Sequence, residues 1–248
     1  MLVRLSHKVH VLFRRQDLDM VKLEGKVAVV LDVLFATSTM IAALADGASE
    51  VIPTLNEEHA REKVKTLAPG SYVVSGELFA ETIAGFAPPT PMALMAHDLA
   101  GKTLVYATTN GTVALNEAAS AAHVYAGALL NARALVQHIA RHHRDRTVLI
   151  VCSGSMGNPN LEDMYGAGCF IELMAQELGE SCDFSDAAWA ARALYRSERA
   201  ESLLLRCRVG QMMQERGLAE EVRFAARTSV MDVVPKLIDG RLQPVATA

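Results

Sequence analysis

Four short stretches of this chain combine oxygen-bearing side chains with residues that make turns. Asp32-Val33-Leu34-Phe35-Ala36-Thr37-Ser38-Thr39 places one carboxylate and then a hydroxyl cluster after the apolar run Val27 to Leu31. Gly76-Glu77 follows Tyr72-Val73-Val74-Ser75. Thr108-Thr109-Asn110-Gly111-Thr112 follows Leu104 to Ala107, and Ser153-Gly154 precedes the acidic pair Glu162-Asp163. Carboxylates from separate loops suit a hard dication such as Mg2+, which takes oxygen ligands and keeps several waters. Hydroxyls, an Asn-Gly turn and the free N–H groups of a helix start suit an anionic oxygen. The combination points to metal-assisted chemistry on a phosphate or carboxylate. Taken singly, each stretch also fits structural duty. Asp32 and the hydroxyls could cap a helix, Asn110-Gly111 is a turn dipeptide, and two acids suit any helix first turn.

The elements around these stretches read as strands that end in functional loops. Lys26 to Leu34 is a near-continuous apolar run, as in a strand buried on both faces. A helix follows over Thr39 to Asp46, with Gly47 placed to end it. Lys8 to Phe13, Ser49 to Ile52 (stopped by Pro53), Tyr72 to Ser75, Thr103 to Thr108, His123 to Gly127 and Thr147 to Cys152 also read as strands. Helices are predicted from Asn56, from about Val113, from Asn131 through His142, and over Leu161 to Leu178. The prolines of Gly85 to Pro91 dictate a loop. Asp186 to about Gly217 reads as mostly helical, and Glu221 to Thr228 as a late strand or turn. Pro235 biases Val234 toward extended backbone. The order strand, hydroxyl loop, Ala-rich helix, short strand, Asn-headed helix occurs at both Ala36–Thr39 and Thr109–Thr112. It predicts an internal duplication whose two halves bring equivalent loops to one sheet edge.

Composition bounds the rest. The chain has 248 residues, 51% of them hydrophobic and only 5% aromatic, so the interior is Ala, Val and Leu. That favours helices on a largely parallel sheet. A net charge of −4 gives no electrostatic reason to bind nucleic acid or an anionic membrane. Cys152, Cys169, Cys182 and Cys207 lack metal-motif spacing and fit a reducing cytoplasm. Met1 to Lys8 lacks the apolar core of a signal peptide, and no apolar run reaches the roughly 18 residues of a membrane span. One domain over residues 1–248 is expected, with a homodimer as the default assembly. His142 and His143 read as a solvated helix end, and Trp189 as core or interface.

At the four loops the chain resembles the 2-phosphosulfolactate phosphatase family of coenzyme M biosynthesis. The matching pieces are Asp32-Val33-Leu34 with Ala36-Thr37-Ser38-Thr39, Gly76-Glu77, Gly85-Phe86, Thr108-Thr109-Asn110-Gly111-Thr112, and Val151-Cys152-Ser153-Gly154 with Glu162-Asp163. The resemblance implies a three-layer α/β/α fold with a mixed, largely parallel sheet. It also implies Mg2+-dependent hydrolysis of a phosphate ester on a small 2-hydroxy acid. On that reading Asp32, Glu77 and Asp163 are catalytic, and Asp32, Glu77, Glu162 and Asp163 supply the metal ligands. Thr37, Ser38, Thr39, Thr109, Asn110, Gly111, Thr112, Ser153 and Gly154 would cradle the phosphoester.

The chain departs from the family pattern where that pattern carries charge. Phe35 and Leu78 stand where it has arginine, and Ala87 stands where it has aspartate. Pro89-Thr90-Pro91 replaces an Asn-Ser-Pro turn. Charge-assisted hydrogen bonds contribute about 1.5–3 kcal/mol each, so two lost arginines weaken anion binding by roughly two to four decades. This motivates two rival expectations. One is a ligand-binding homologue of weakened activity. The other is a structural subunit with an interface around Met164, Met174, Met212 and Met213.

Overall fold

The computed structural model describes residues 7–20, 23–179 and 182–246. Residues 1–6, read above for a targeting segment, lie outside them. The chain opens with β1 (His7–Leu12), β2 (Val27–Leu31), α1 (Ala36–Ala45), β3 (Glu50–Thr54), α2 (Glu57–Val64), β4 (Tyr72–Leu78) and β5 (Glu81–Thr82). It continues through α3 (Pro91–Met95), β6 (Thr103–Ala107), α4 (Gly111–Glu117), β7 (His123–Gly127), α5 (Ala132–His142) and β8 (Val148–Cys152). Then come α6 (Leu161–Leu178), β9 (Cys182–Phe184), α7 (Asp186–Ser197), α8 (Ala200–Arg206), α9 (Arg208–Glu215) and α10 (Ala219–Ala225). The hairpin β10 (Val234–Ile238) and β11 (Arg241–Val245) closes the fold.

The strands form one mixed sheet in the order β5-β4-β6-β3-β11-β10-β7-β2-β8-β1-β9. Two blocks are internally parallel, β4-β6-β3 and β7-β2-β8-β1-β9. The antiparallel hairpin joins them, meeting β3 at Leu242–Val51 and β7 at Lys236–Tyr125. Every residue of β2 is buried, and its side chains alternate between two cores. Val27, Val29 and Leu31 pack with Phe170 and Ile171 of α6, while Ala28 and Val30 pack with Met40 of α1 and Leu115 of α4. Helices therefore cover both faces, which gives three layers.

The strands of the two halves expected from the sequence pair across the halves. Val27–Leu31 of β2 pairs with His123–Gly127 of β7, and Thr103–Ala107 of β6 pairs with Glu50–Thr54 of β3, each first residue opposite the other's first. Each unit thus contributes its first strand to one block and its second to the other.

Some expectations change. Pro53 does not stop β3; it lies within the strand, opposite Tyr106. Its carbonyl accepts from the Asn116 side chain at 3.1 Å, so a side chain meets the chain there beside a residue that has no N–H. Residues 219–225 are helical rather than strand or turn, because Val222 and Ala225 are buried at helical spacing. His143 is buried, not solvated, although His142 is exposed. Among the methionines read as an interface, Met174 and Met213 are buried. Trp189 is half exposed, edge-on to Phe184.

Candidate active site

Asp32 follows β2 directly, and its backbone is locked by the helix it precedes. Its N–H donates to Thr37 Oγ1 at 3.0 Å, and that hydroxyl donates to the Asp32 carbonyl at 2.9 Å. The second half repeats the hook. The Thr108 N–H donates to Thr112 Oγ1 at 3.0 Å, and Thr112 Oγ1 donates back to the Thr108 carbonyl at 3.1 Å. A threonine at the second position of each helix thereby fixes the strand-to-helix turn.

These turns bring two helix starts onto one carboxylate. The Ala36 and Gly111 backbone N–H groups lie by the Asp32 side chain and favour its ionised form. Gly111 must be glycine for that approach, since a Cβ there would lie 2.5 Å from Ala36 Cβ and 2.6 Å from Asp32 Oδ2. Burial, with Glu77 and Glu162 nearby, outweighs these donors and pushes the Asp32 carboxyl up to about 7.

Glu77 faces the same cavity from the end of β4. Its Oε1 accepts from the Thr109 N–H at 2.6 Å, and its Oε2 accepts from the Ala80 N–H at 2.6 Å and the Thr109 hydroxyl at 3.2 Å. Asp163 is spent differently. Its oxygens accept from the Val33 N–H at 2.9 Å and the Gly154 N–H at 3.1 Å, tying the loops after β2 and β8 together. Burial and the neighbouring Asp32 and Glu162 hold its carboxyl well above the usual range. Glu162 is also buried and shifted upward, and its Oε1 lacks a hydrogen-bond partner, as does the buried Ser153 hydroxyl.

A cavity of about 470 Å3 opens over these residues. Of the residues expected at the site, Asp32, Glu77, Thr109 and Asn110 line it, together with Thr108. Thr37, Ser38, Thr39 and Thr112 do not. They are fully buried, and their hydroxyls bond the carbonyls of Asp32, Val33, Pro89 and Thr108. Gly111, Ser153, Gly154, Glu162 and Asp163 also lie behind the wall. Among the described residues no three His, Cys, Asp or Glu side chains are placed to cage a metal. The four-carboxylate ligand set therefore contracts to Asp32 and Glu77 at the cavity surface. Two carboxylates still fit Mg2+, which is held by one or two of them plus substrate oxygens and water.

One cavity residue gave no signal in the sequence. Arg208 opens α9, and its guanidinium donates to the Ser155 hydroxyl and to Asn160 Oδ1. Its charge partly opposes the upward shift that burial imposes on the Glu162 carboxyl. It lies in the helical tail, far along the chain from every glycine or hydroxyl loop. Glu221 of α10 fastens that tail to the wall. Its carboxylate accepts from the Thr90 hydroxyl at 2.7 Å and from the Met92 and Ala93 N–H groups at 2.8 and 2.9 Å, at the start of α3.

Comparison with known proteins agrees with this geometry. The family model of 2-phosphosulpholactate phosphatase matches residues 13–240. A probable 2-phosphosulfolactate phosphatase of Carboxydothermus hydrogenoformans is 34% identical over 95% of this chain and 96% of its own length. Its counterpart in Symbiobacterium thermophilum is 34% identical over 89% of this chain and 95% of its own. That of Caldanaerobacter subterraneus subsp. tengcongensis is 33% identical, covering 88% and 90%. With the match spanning both halves, every cavity loop and the tail that carries Arg208, the chain belongs to the 2-phosphosulpholactate phosphatase family.

Proposed function

We propose that this protein is a Mg2+-dependent phosphatase that hydrolyses the phosphate ester of a 2-hydroxy acid, as the names of its relatives describe for 2-phosphosulfolactate. What carries the reading is Asp32, a buried carboxyl held near neutral pKa where two helix starts meet at a cavity. Such a group can attack phosphorus as a carboxylate nucleophile or take the proton of an attacking water. In either route the Ala36 and Gly111 N–H groups favour its ionised form. Asn110 and Thr109 line the wall beside it as neutral partners for phosphate oxygens, and Arg208 supplies a planar donor for the substrate carboxylate. Glu77 and Asp32 would hold Mg2+, which supplies positive charge to the phosphoryl oxygens. The carboxylates gathered around Asp32 support a cation there.

The same reading carries a homodimer in a reducing cytoplasm. All four cysteines are free thiols, and among the described residues no helix is long and apolar enough to cross a membrane. A second reading, binding without turnover, draws on Phe35, which lines the cavity as apolar surface. Both are tested by phosphate release from 2-phosphosulfolactate and 2-phospholactate, in Mg2+ and in EDTA. The hydrolase reading expects release with Mg2+ and at least a hundredfold loss in EDTA that Mg2+ restores. No release from either ester by folded protein would favour binding alone.

A further inference from the structure

We infer that the acid accepted by this site carries an extended apolar body and no second strong anion besides its carboxylate, a refinement that rests on the phosphatase reading above. The cavity of about 470 Å3 lies in the range of pockets that enclose drug-sized ligands. A phosphorylated three-carbon acid would leave much of it to water. Its charges are few. Arg208 is the one lysine or arginine among the described lining residues. A dication at Asp32 and Glu77 accounts for the phosphate, and Arg208 for one carboxylate. Among the described lining residues no cationic side chain remains for a further anion such as a sulfonate, and Arg216 at the rim is held by Glu81 and the Ala80 carbonyl.

Beside neutral polar groups such as Thr109 and Asn110, much of the wall is apolar. Phe35, Val209, Met212, Met213 and Leu218 line it, and the methionines are side chains that adapt to irregular apolar shapes. The mouth continues that character. Met156 and Phe79, 83% and 71% exposed, are the two most exposed large hydrophobic residues described, and both border this cavity. Exposed apolar side chains scattered singly over a surface need no explanation; two gathered at one cavity mark a place where apolar ligand surface is covered. Ser155, which holds the Arg208 guanidinium, directly precedes Met156. The carboxylate grip and the apolar mouth therefore share a loop, and one ligand can engage both.

The test is a series of 2-phosphooxy acids whose side chain is methyl, propyl, hexyl or benzyl, with 2-phosphosulfolactate as the doubly charged member. kcat/KM is measured on the esters. Dissociation constants of the matching non-hydrolysable phosphonates are measured by calorimetry in Mg2+. Each buried methylene is expected to gain roughly threefold to fourfold. The hexyl and benzyl members should then exceed the methyl member by at least thirtyfold, with the sulfonate below it. If no ester turns over but the phosphonates rank in that order, the hydrolase reading fails and this inference stands. If esters turn over with a flat series, or with the sulfonate preferred, the hydrolase reading stands and this inference is overturned. Absence of binding by every phosphonate also overturns it.

Discussion

Asp32 keeps a proton near neutrality because it is largely buried and two other carboxyls stand close, although two backbone N–H groups oppose the shift. The sign of the linkage follows. Below about pH 4 the group is neutral in both folded and unfolded chains and costs nothing. Between its ordinary 3.8 and about 7 the unfolded chain ionises first, so stability falls as pH rises through that window. Removing the charge should therefore stabilise the metal-free protein. Asp32→Asn in EDTA is expected to gain about 2–4 kcal/mol at pH 8 and little at pH 4.5, seen as a Tm rise of several degrees at the higher pH only. Arg208 lends itself to a different readout. Arg208→Met should raise KM for a 2-phosphooxy acid by about tenfold to a hundredfold, the value of one charge-assisted pair, with kcat changed far less. An equal fall in kcat would instead assign Arg208 to the transition state. At this scale the sequence was legible where chemistry and turn residues coincide, at Asp32, Glu77, Thr109 and Asn110. Thr37 and Thr112 looked like phosphate ligands because hydroxyls that hold a backbone turn and hydroxyls that hold an anion are the same residue type. Arg208 was invisible because nothing local separates it from the other arginines of the tail.

The element that makes the site is the paired strand-to-helix turn. Both turns use a threonine hook, and the two helix starts meet only because Gly111 has no Cβ. Gly111→Ala must push α4 away from Ala36 and Asp32. We expect a loss of about 1–3 kcal/mol in chemical unfolding, in line with overpacked cores, together with a fall in phosphatase rate of at least a hundredfold, since a 1 Å misplacement can cost that much. A variant with wild-type stability and rate would show that the helix starts do not need this contact. The strands of this scaffold were readable from apolar runs, since buried parallel strands admit little else. The misreadings have local causes. Glu221-Val222-Arg223-Phe224 alternates polar with apolar and imitates a strand, while Ala225 continues the helical spacing. The hairpin of β10 and β11 turns at Asp239-Gly240, a dipeptide suited to positive φ, which both residues adopt.

On the scale of the whole molecule, the hairpin also meets a buried histidine cluster remote in sequence from the cavity loops. The Tyr125 hydroxyl lies 2.8 Å from His143 Nε2 and 3.1 Å from His138 Nε2, while His123 stacks on His143. Burial, with His123, His138, Lys236 and Arg146 facing it, lowers His143 to about 4. Between about 4 and its ordinary 6.5 the unfolded chain takes up a proton that the folded chain refuses, so stability is lost as pH falls through that window. The loss is discounted by solvent screening and is opposite in sign to the contribution of Asp32. Thermal unfolding from pH 7 to 4.5 should show a shallower acid limb in His143→Gln than in wild type; parallel limbs would remove the histidine from the account. Helices on a largely parallel sheet were foreseeable from composition and element order, and the three layers and mixed sheet from the family resemblance. The antiparallel hairpin that joins the two parallel blocks was not, because pairing between distant segments leaves no periodicity in either one. The proposed chemistry depends first on Asp32. The most direct test is the steady-state rate of phosphate release from 2-phospholactate in Mg2+ by wild type and Asp32→Asn, with folding of the variant confirmed by its Tm. The expected result is a fall in kcat of at least a thousandfold in a folded variant. Retention of more than a tenth of the wild-type rate would contradict the assignment of the chemistry to this carboxylate.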